Sequence, residues 1–235
     1  MQIIGYGGFG REIEAYCNKN DLHVQIFKNH EDAKLFSNKR FDAVIAIGNE
    51  EVRRQIVDEL EDNGNVYVSW GVLNFGYIYG GKNIGGGTII CPNTILTTNV
   101  TLGRHCLVNI SCTIGHDVTV GDFVTINPGV NISGNVTIGS NCNIGSNAVI
   151  RNGISICDDV VIGAGSVVVK DITEPGIYVG SPAVRLDKRP KYAIEIDLKM
   201  LKHDVDLLIK YYEESKVVKA TDTVSIRMTN KNKKE

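Results

Sequence analysis

The chain has 235 residues, which is enough for one large domain or two small ones. Its formal net charge of −2 and pI near 6.2 give no overall positive field, which argues against nucleic acid or an anionic membrane as a partner. No apolar run approaches the roughly 20 residues of a membrane span, and the start MQIIGYGGFG lacks the features of an export signal, so we expect a cytoplasmic protein.

The first part of the chain, residues 1–69, alternates strand and helix patterns, which is typical of a small parallel α/β domain. The predicted strands are Gln2–Tyr6, Leu22–Phe27, Phe41–Ile47 and Val66–Trp70, and the predicted helices are Arg11–Lys19 and Asn49–Asn63. The second helix would bury an apolar face made of Val52, Ile56, Val57 and Leu60.

The turn after the first strand, Gly5-Tyr6-Gly7-Gly8-Phe9-Gly10, matches GxGxxG in a strand–turn–helix context. In such a turn, backbone N–H groups at the helix start can approach a phosphate. A dinucleotide-binding domain would also carry an acid at the end of the second strand, where this chain has Lys28-Asn29-His30. We therefore favour a sugar-nucleotide phosphate as the ligand of this turn. The alternatives are a purely structural turn and, least favoured, a nicotinamide cofactor.

A period of six residues runs through the middle of the chain. Every sixth residue from Val72 to Val168 is Val, Ile or Leu, which fits neither an amphipathic helix nor a simple strand. The residue after the aliphatic is often Gly or Asn, and the fourth residue after it is small or β-branched. This pattern predicts a parallel β-helix with about five to six triangular coils, in which Gly and Asn occupy corners with a left-handed or crowded backbone.

Six cysteines occur without CxxC spacing or paired histidines, which argues against a zinc site. Three of them, Cys106, Cys112 and Cys142, fall at the small position of the repeat and should point inward. Without an export signal, all six are expected to be reduced thiols. We therefore expect no metal.

The flat sides of a triangular prism commonly pack around a threefold axis, and a heterologous interface of this kind must close into a ring. We therefore expect a homotrimer. Beyond the repeat, apolar residues spaced by three and four predict a helix from about Ile194 to Tyr212, followed by a polar tail. This helix would lie on the end of the β-helix or form a three-stranded coil about the trimer axis.

Four segments together carry a resemblance to a known family: GYGGFG at 5–10, VIAIGNEEVRRQI at 44–56, the hexapeptides, and GSPA at 180–183. They resemble bacterial sugar acetyltransferases of the left-handed β-helix superfamily, which include the bacillosamine, perosamine and viosamine N-acetyltransferases and the sialic acid O-acetyltransferases. The resemblance covers residues 1 to about 186. It implies a Rossmann-like α/β domain at 1–69 that binds a sugar nucleotide, a left-handed parallel β-helix acetyltransferase domain at 70–186, and a C-terminal helix and tail at 187–235.

The resemblance also implies a catalytic pair. His116 would act as the general base, because an imidazole can accept a proton near neutral pH, and Asp117 would orient it. The acetyl group would pass directly from acetyl-CoA to the sugar, with the Gly134 amide stabilising the oxyanion. The implied substrate-binding residues are Gly7, Gly8, Phe9, Lys28, Asn29, Gly48 and Asn109.

Acetyl-CoA, by the same resemblance, would lie in a groove between neighbouring prisms. Its pantetheine arm would follow Gly134 and Ser146, and its nucleotide end would approach Gly163, Ala164, Lys170 and Pro182. Lys170 would offset phosphate charge, or it is simply a solvated surface lysine.

Three places differ from the family pattern. Phe9 and Thr125 stand where many N-acetyltransferases have a histidine, and Lys28-Asn29 replaces an acidic pair that contacts the nucleotide. The expected activity is N-acetylation of a 4-amino-4,6-dideoxy sugar linked to UDP, dTDP or GDP. The alternatives are O-acetylation of sialic acid or a related sugar, and a non-catalytic β-helix scaffold. A metal-dependent β-helix enzyme would need several histidines converging at an interface, whereas the repeat region has only His105 and His116.

Overall fold

The computed structural model describes residues 1–27, 40–62 and 67–188, all of which belong to one compact unit. The predicted C-terminal helix and tail lie outside the described residues, as do Lys28 and Asn29. Among the described helices, none is both long and apolar enough to cross a membrane.

The N-terminal part is a four-stranded parallel sheet with the order β2-β1-β3-β4. The strands are β1 Gln2–Ile4, β2 Gln25–Phe27, β3 Arg40–Ile45 and β4 Tyr67–Trp70, with helix α1 Gly8–Lys19 after β1 and helix α2 Glu50–Asp62 after β3. The chain order reverses between β1 and β3, so the carboxyl ends of these two strands border the crevice where ligands bind in sheets of this type. The predicted parallel α/β fold is confirmed.

Helix α2 differs from its prediction in one buried position. Val52, predicted to face inward, is 42% exposed, whereas Arg53 is fully buried. Arg53 falls in line with the buried Ile56, Val57 and Leu60 at the spacing of one helix face. The amphipathic pattern does not reveal this face, because a charged residue occupies a position that an apolar residue usually takes.

The rest of the described chain is a left-handed parallel β-helix of about six coils, as predicted. Its strands are β5 Leu73–Asn74, β6 Tyr77–Ile84, β7 Ile89–Ile90, β8 Ile95–Leu102, β9 Leu107–Val108, β10 Thr113–Ile114, β11 Thr119–Val120, β12 Thr125–Ile126, β13 Asn131–Ile132, β14 Thr137–Ile138, β15 Asn143–Ile144, β16 Val149–Ile150, β17 Ser155–Ile156, β18 Val160–Ile162, β19 Val167–Val168, β20 Gly176–Val179 and β21 Val184–Arg185, followed by a 3₁₀ turn at Leu186–Lys188.

The register repeats every three hexapeptides, so that Ile114 pairs with Ile132 and Ile132 with Ile150. The aliphatic positions from Ile90 to Val168 are all buried in the prism. The first predicted position is wrong: Val72 is 37% exposed, because the first coil is shorter and Asn74 pairs with Ile90 in its place.

The inward small positions are also confirmed. Cys106, Cys112 and Cys142 are completely buried, and all six cysteines are free thiols. Burial raises the pKa of the Cys106 and Cys142 thiols to about 12, so both remain protonated and act as small packing residues.

Each corner has two positions with special requirements, one with a left-handed backbone and one that is often a glycine. Every sixth residue from Gly87 to Gly165 has a left-handed backbone, with φ between 55° and 78°. The glycines directly after the aliphatic residues are required for a different reason, which is crowding. A Cβ on Gly115, for example, would lie 2.6 Å from the Gly134 nitrogen of the next coil. The left-handed residue therefore follows two positions after the crowded glycine.

We name the three corners by one coil: corner A is 109–112, corner B is 115–118 and corner C is 121–124. The N-terminal sheet covers the side of the prism that carries β5, β7, β9 and β12, which runs between corners C and A. Leu73, Ile89 and Leu107 point outward from this side and are buried in one cluster with Ile3 and Val44 of the sheet. This shared core fixes the α/β part relative to the β-helix.

Candidate active site

His116 and Asp117 form a close pair at corner B. The His116 Nδ1 lies 2.8 Å from the Asp117 Oδ2, and the two side chains are 56% and 47% exposed. A carboxylate can only accept a hydrogen bond, so the neutral imidazole carries its proton on Nδ1 and a lone pair on Nε2. An exposed imidazole in this tautomer is able to accept a proton from an external group.

The backbone around the pair is held by both neighbouring coils. Asp117 has a left-handed backbone with φ of 58°, and its N–H donates to the Thr98 carbonyl oxygen at 3.0 Å. On the other side, the Asn135 N–H donates to the His116 carbonyl oxygen at 2.8 Å. The positions of the two side chains are therefore set by the ladder of the β-helix rather than by a mobile loop.

Gly134 lies against the imidazole ring of His116. A Cβ at this position would be 2.5 Å from His116 Nε2 and 2.6 Å from its Cε1. It would also be 2.8 Å from Cδ2, so these nearly equal distances place the Cβ over the face of the ring, and any side chain here would displace the imidazole. The structure thus brings together three of the predicted residues, His116, Asp117 and Gly134.

Other predicted residues lie at a different corner of the same prism. Asn109 belongs to corner A, and Ser146, Gly163 and Ala164 belong to the same corner in later coils. Asn109 Oδ1 accepts a hydrogen bond from the Ile110 N–H at 2.7 Å. Corner A and corner B are the two ends of the side that carries β10, so within one chain these residues are not brought to His116.

Lys170 and Pro182 lie at the C-terminal end of the β-helix, and both are exposed. Lys170 borders a surface depression together with Glu174 and Arg185. The GSPA segment is tied to the last coil because the Ala183 N–H donates to the Val167 carbonyl oxygen at 2.8 Å.

The glycines of the first turn fall into two groups. Gly5 has a φ of 106° and a Cβ there would lie 2.7 Å from Ile47 Cγ1, while a Cβ on Gly10 would collide with the Gly5 carbonyl oxygen. These two glycines are required by the fold. A Cβ on Gly7 or Gly8, in contrast, would have no atom within 4 Å, and Gly8 opens helix α1, which has no side-chain cap.

Gly48 follows β3 at the same edge of the sheet, and its carbonyl oxygen accepts a hydrogen bond from Thr125 Oγ1 at 2.9 Å. Phe9 and, at corner A, Ile110 each pack against the apolar cluster that the two parts of the chain share. The described substrate-binding candidates of the α/β part are therefore grouped at the carboxyl ends of β1 and β3, as the strand order requires.

Arg53 is a residue that the sequence reasoning missed. It is fully buried, and its guanidinium donates to the carbonyl oxygens of His105 at 2.8 Å and Ile47 at 2.6 Å. It also donates to the Phe123 carbonyl oxygen at 3.1 Å and to Thr125 Oγ1 at 3.0 Å. Burial lowers the pKa of Arg53 to about 10, so it remains charged at neutral pH.

His105 has no access to solvent and is not a second candidate base. Its ring stacks on Phe123 at 5.0 Å and meets Trp70 edge-on at 4.5 Å. Burial, followed by the Arg104 and Arg53 charges, lowers the pKa of His105 to about 3. Within the described part of the chain, no group of three or more His, Cys, Asp or Glu residues is arranged to hold a metal ion.

Comparisons with known proteins agree with this fold. A family model described as the hexapeptide repeat of succinyl-transferase matches residues 135–170. No curated protein matches the chain by sequence. The acetyltransferase domain of PglB from Neisseria gonorrhoeae, in its complex with acetyl coenzyme A, is 26% identical with a TM-score of 0.72, and the match covers 79% of this chain and 98% of that one.

Two further solved structures are similar. WeeI from Acinetobacter baumannii is 27% identical with a TM-score of 0.69, covering 79% of this chain and 98% of that one. PerB from Caulobacter crescentus, solved with CoA and GDP-perosamine, is 20% identical with a TM-score of 0.68, covering 78% and 95%, and this likeness concerns the fold.

The hexapeptide coils, the exposed imidazole–carboxylate pair and these likenesses define the class of protein: the chain is an acyltransferase built on a left-handed β-helix. Within that class, the resemblance to sugar acetyltransferases that the sequence predicted is confirmed.

Proposed function

We propose that this protein is an acetyl-CoA-dependent N-acetyltransferase that acts on a nucleotide-linked amino sugar of the 4-amino-4,6-dideoxyhexose type. The observation that carries the proposal is the exposed His116–Asp117 pair, with Gly134 packed against the imidazole ring. This pair lies on a β-helix similar to that of an acetyltransferase domain solved with acetyl coenzyme A. The likeness to PerB, which was solved with GDP-perosamine, supports a nucleotide sugar as the class of acceptor.

The proposed reaction is a direct transfer. The sugar amine attacks the thioester carbonyl carbon, and His116 Nε2 accepts the proton that the nitrogen loses. Asp117 stabilises the imidazolium through Nδ1, and the Gly134 N–H donates to the oxyanion. The carbon–sulfur bond then breaks, and the imidazolium returns its proton to the departing coenzyme A thiolate.

We propose that the sugar nucleotide binds at the carboxyl ends of β1 and β3. Its phosphates would approach the N–H groups of Gly7, Gly8 and Phe9 at the start of α1, with Gly48 across the crevice. The open space at Gly7 and Gly8 supports this choice, because close approach of a ligand is what their lack of a side chain permits. Lys28 and Asn29 stay predictions for the nucleotide end.

A homotrimer would complete the site. Asn109 and Ser146 lie at corner A, whereas His116 and Gly134 lie at corner B, so one prism does not unite them. If corner A of one subunit lies beside corner B of the next, acetyl-CoA occupies the groove between them, with Gly163, Ala164, Lys170 and Pro182 along its nucleotide end. Sedimentation analysis should give the mass of three chains, and an active monomer would contradict this arrangement.

The decisive experiment measures thiol release from acetyl-CoA with a panel of UDP-, dTDP- and GDP-linked amino sugars. His116→Ala should lower kcat by roughly 10²–10⁴-fold, the range for losing a positioned general base. The exposed histidine His23 supplies a matched control, because His23→Ala should have normal activity. A His116→Ala protein with near-normal turnover at neutral pH would remove the imidazole from the mechanism.

The same variant separates N- from O-acetylation. The loss in His116→Ala should shrink at high pH if the acceptor is an amine, because more of the amine is already deprotonated there. A sugar hydroxyl has a far higher pKa, so an O-acetyltransferase would show no such recovery. A loss that persists undiminished to high pH would therefore favour the O-acetylation alternative.

A further inference from the structure

The Asp117 carboxylate is held by a residue with no assigned role. Asn99, one coil before Asp117, donates from Nδ2 to Asp117 Oδ1 at 3.0 Å. The other carboxylate oxygen, Oδ2, lies 2.8 Å from His116 Nδ1. Asn99, Asp117 and His116 thus form a continuous chain of hydrogen bonds, and each carboxylate oxygen has a different partner.

The repeat explains why the three groups meet. Asn99 and Asp117 occupy the left-handed position of corner B in successive coils, with φ of 57° and 58°. Residues at equal positions of neighbouring coils lie directly above one another in a parallel β-helix, so their side chains leave the backbone in the same direction. The contact is therefore built into the register and does not depend on a mobile segment.

The Asn99 amide adds a second hydrogen bond to the carboxylate and so restrains its rotation. A half-exposed Asp side chain that turns about its terminal torsion carries Oδ2 away from the imidazole and lets the ring swing. The ring has to keep one orientation over Gly134, because proton transfer in the transition state depends strongly on geometry.

We propose that Asn99 is a positioning residue for acetyl transfer: its amide fixes Asp117, which fixes the tautomer and orientation of the His116 ring. This inference rests on the proposed function, in which His116 is the base. Asn99 does not touch the substrates in this role, so its loss changes kcat and leaves substrate binding intact.

A simpler account of Asn99 is that asparagine tolerates the left-handed corner. Asn99→Gly separates the two accounts, because glycine adopts this backbone without strain and lacks only the amide. Asn141 provides the matched control: it also has a left-handed backbone, with φ of 57°, but it lies in the column of corner C. Asn141→Gly should have normal kcat and KM values.

Asn99→Gly should lower kcat by about 3- to 30-fold, as for loss of one partly exposed hydrogen bond to a charged group, with KM for both substrates within about twofold of normal. Asn99→Asp, which keeps the shape but replaces the donor with an acceptor, should lose at least as much. In a His116→Ala background, Asn99→Gly should cause no further loss, because its effect passes through the imidazole.

Normal kcat in Asn99→Gly would overturn the inference, as would an equal loss in Asn141→Gly or an undiminished loss in the His116→Ala background. These outcomes differ from failure of the proposed function. An active His116→Ala protein would overturn the proposed base and this inference with it, whereas an inactive His116→Ala together with a fully active Asn99→Gly would overturn this inference alone.

Discussion

Arg53 of helix α2 and Thr125 of the β-helix are joined by a buried hydrogen bond, with Arg53 Nη2 3.0 Å from Thr125 Oγ1. The same hydroxyl donates to the Gly48 carbonyl oxygen at 2.9 Å. The pair therefore fastens the loop after β3, which borders the proposed nucleotide site, to the side of the prism. The Thr125 hydroxyl is thus committed to the junction between the two parts.

Replacing Thr125 should weaken this junction. Thr125→Val keeps the shape but removes two buried hydrogen bonds, so we expect a loss of about 2 kcal/mol in stability, or about 4–8 °C in Tm. Thr125→Ser retains the hydroxyl and should lose less. Thermal unfolding at one fixed protein concentration measures both, and a Thr125→Val protein with an unchanged Tm would contradict the role given to this contact.

Arg53 explains why the sequence did not predict this junction. An arginine at the inward position of an amphipathic helix is normally assigned to the surface, because burying its charge is costly without partners. Its partners are backbone carbonyl oxygens of His105, Phe123 and Ile47, which have no signature in the residue types. The repeat was predictable because its inward residues recur at a fixed period, whereas this contact joins residues about 70 apart in the chain.

His105 should make the protein sensitive to acid. Its folded-state pKa, lowered to about 3 mainly by burial, lies below the value of 6.5 of a free imidazole. The unfolded chain therefore binds more protons between these values. The stability contribution is complete above pH 6.5 and is lost as the pH falls toward 3, by up to about 1.4 kcal/mol per pH unit.

The measurement is the pH dependence of unfolding in wild type and in His105→Phe. Phe123 already occupies the same position of the next coil with φ of 58°, so a phenyl ring is compatible with this backbone. If the phenyl ring overpacks the site, the free energy of unfolding falls equally at all pH values. Removal of the titrating imidazole, in contrast, changes the slope of that free energy against pH. Equal slopes between pH 6.5 and 5 in the two proteins would contradict this account.

Substitutions should show which glycines of the first turn are needed for folding and which for binding the sugar nucleotide. Gly8→Leu should fold normally, since a Cβ there meets no atom within 4 Å, but its side chain should block the phosphates of the sugar nucleotide. We expect KM for the sugar nucleotide to rise about 10-fold or more, as for loss of a charged hydrogen bond, with KM for acetyl-CoA nearly unchanged.

Gly10→Ala is the contrasting variant, because its Cβ collides with the Gly5 carbonyl oxygen and should lower the Tm. If Gly8→Leu changes both Michaelis constants equally, the turn is architectural and the nucleotide lies elsewhere. The sequence motif alone did not make this distinction, since it treats its fixed positions Gly5, Gly7 and Gly10 alike and leaves Gly8 unspecified. Only the space around an added Cβ separates the glycines that folding requires from those that allow a ligand to approach.

Some of the candidate site was predictable from the sequence, and some was not. The period of six places His116 and Gly134 at one corner in successive coils, so their proximity follows from the register. The separation of Asn109 and Ser146 at another corner also follows from counting along the coil. The proximity of Asn99 and Asp117 follows from the same spacing. The direction of their side chains does not, because it depends on the left-handed backbone of both residues, and the glycines of the repeat suggested that this conformation lay two positions earlier.

Gly134 offers the most direct test of the geometry at the proposed base. In Gly134→Ala, the new methyl group would lie 2.5 Å from His116 Nε2, closer than any real contact, so the imidazole has to turn away. The backbone N–H remains in place, and therefore any loss reflects the position of the ring. We expect kcat to fall by about 10²-fold, because a misplacement of about 1 Å at a catalytic group has an effect of this size. The double variant His116→Ala, Gly134→Ala should then be no slower than His116→Ala alone, since no ring is left to displace. If the fold-loss in kcat of the double variant equals the product of the two single fold-losses, Gly134 acts independently of the imidazole.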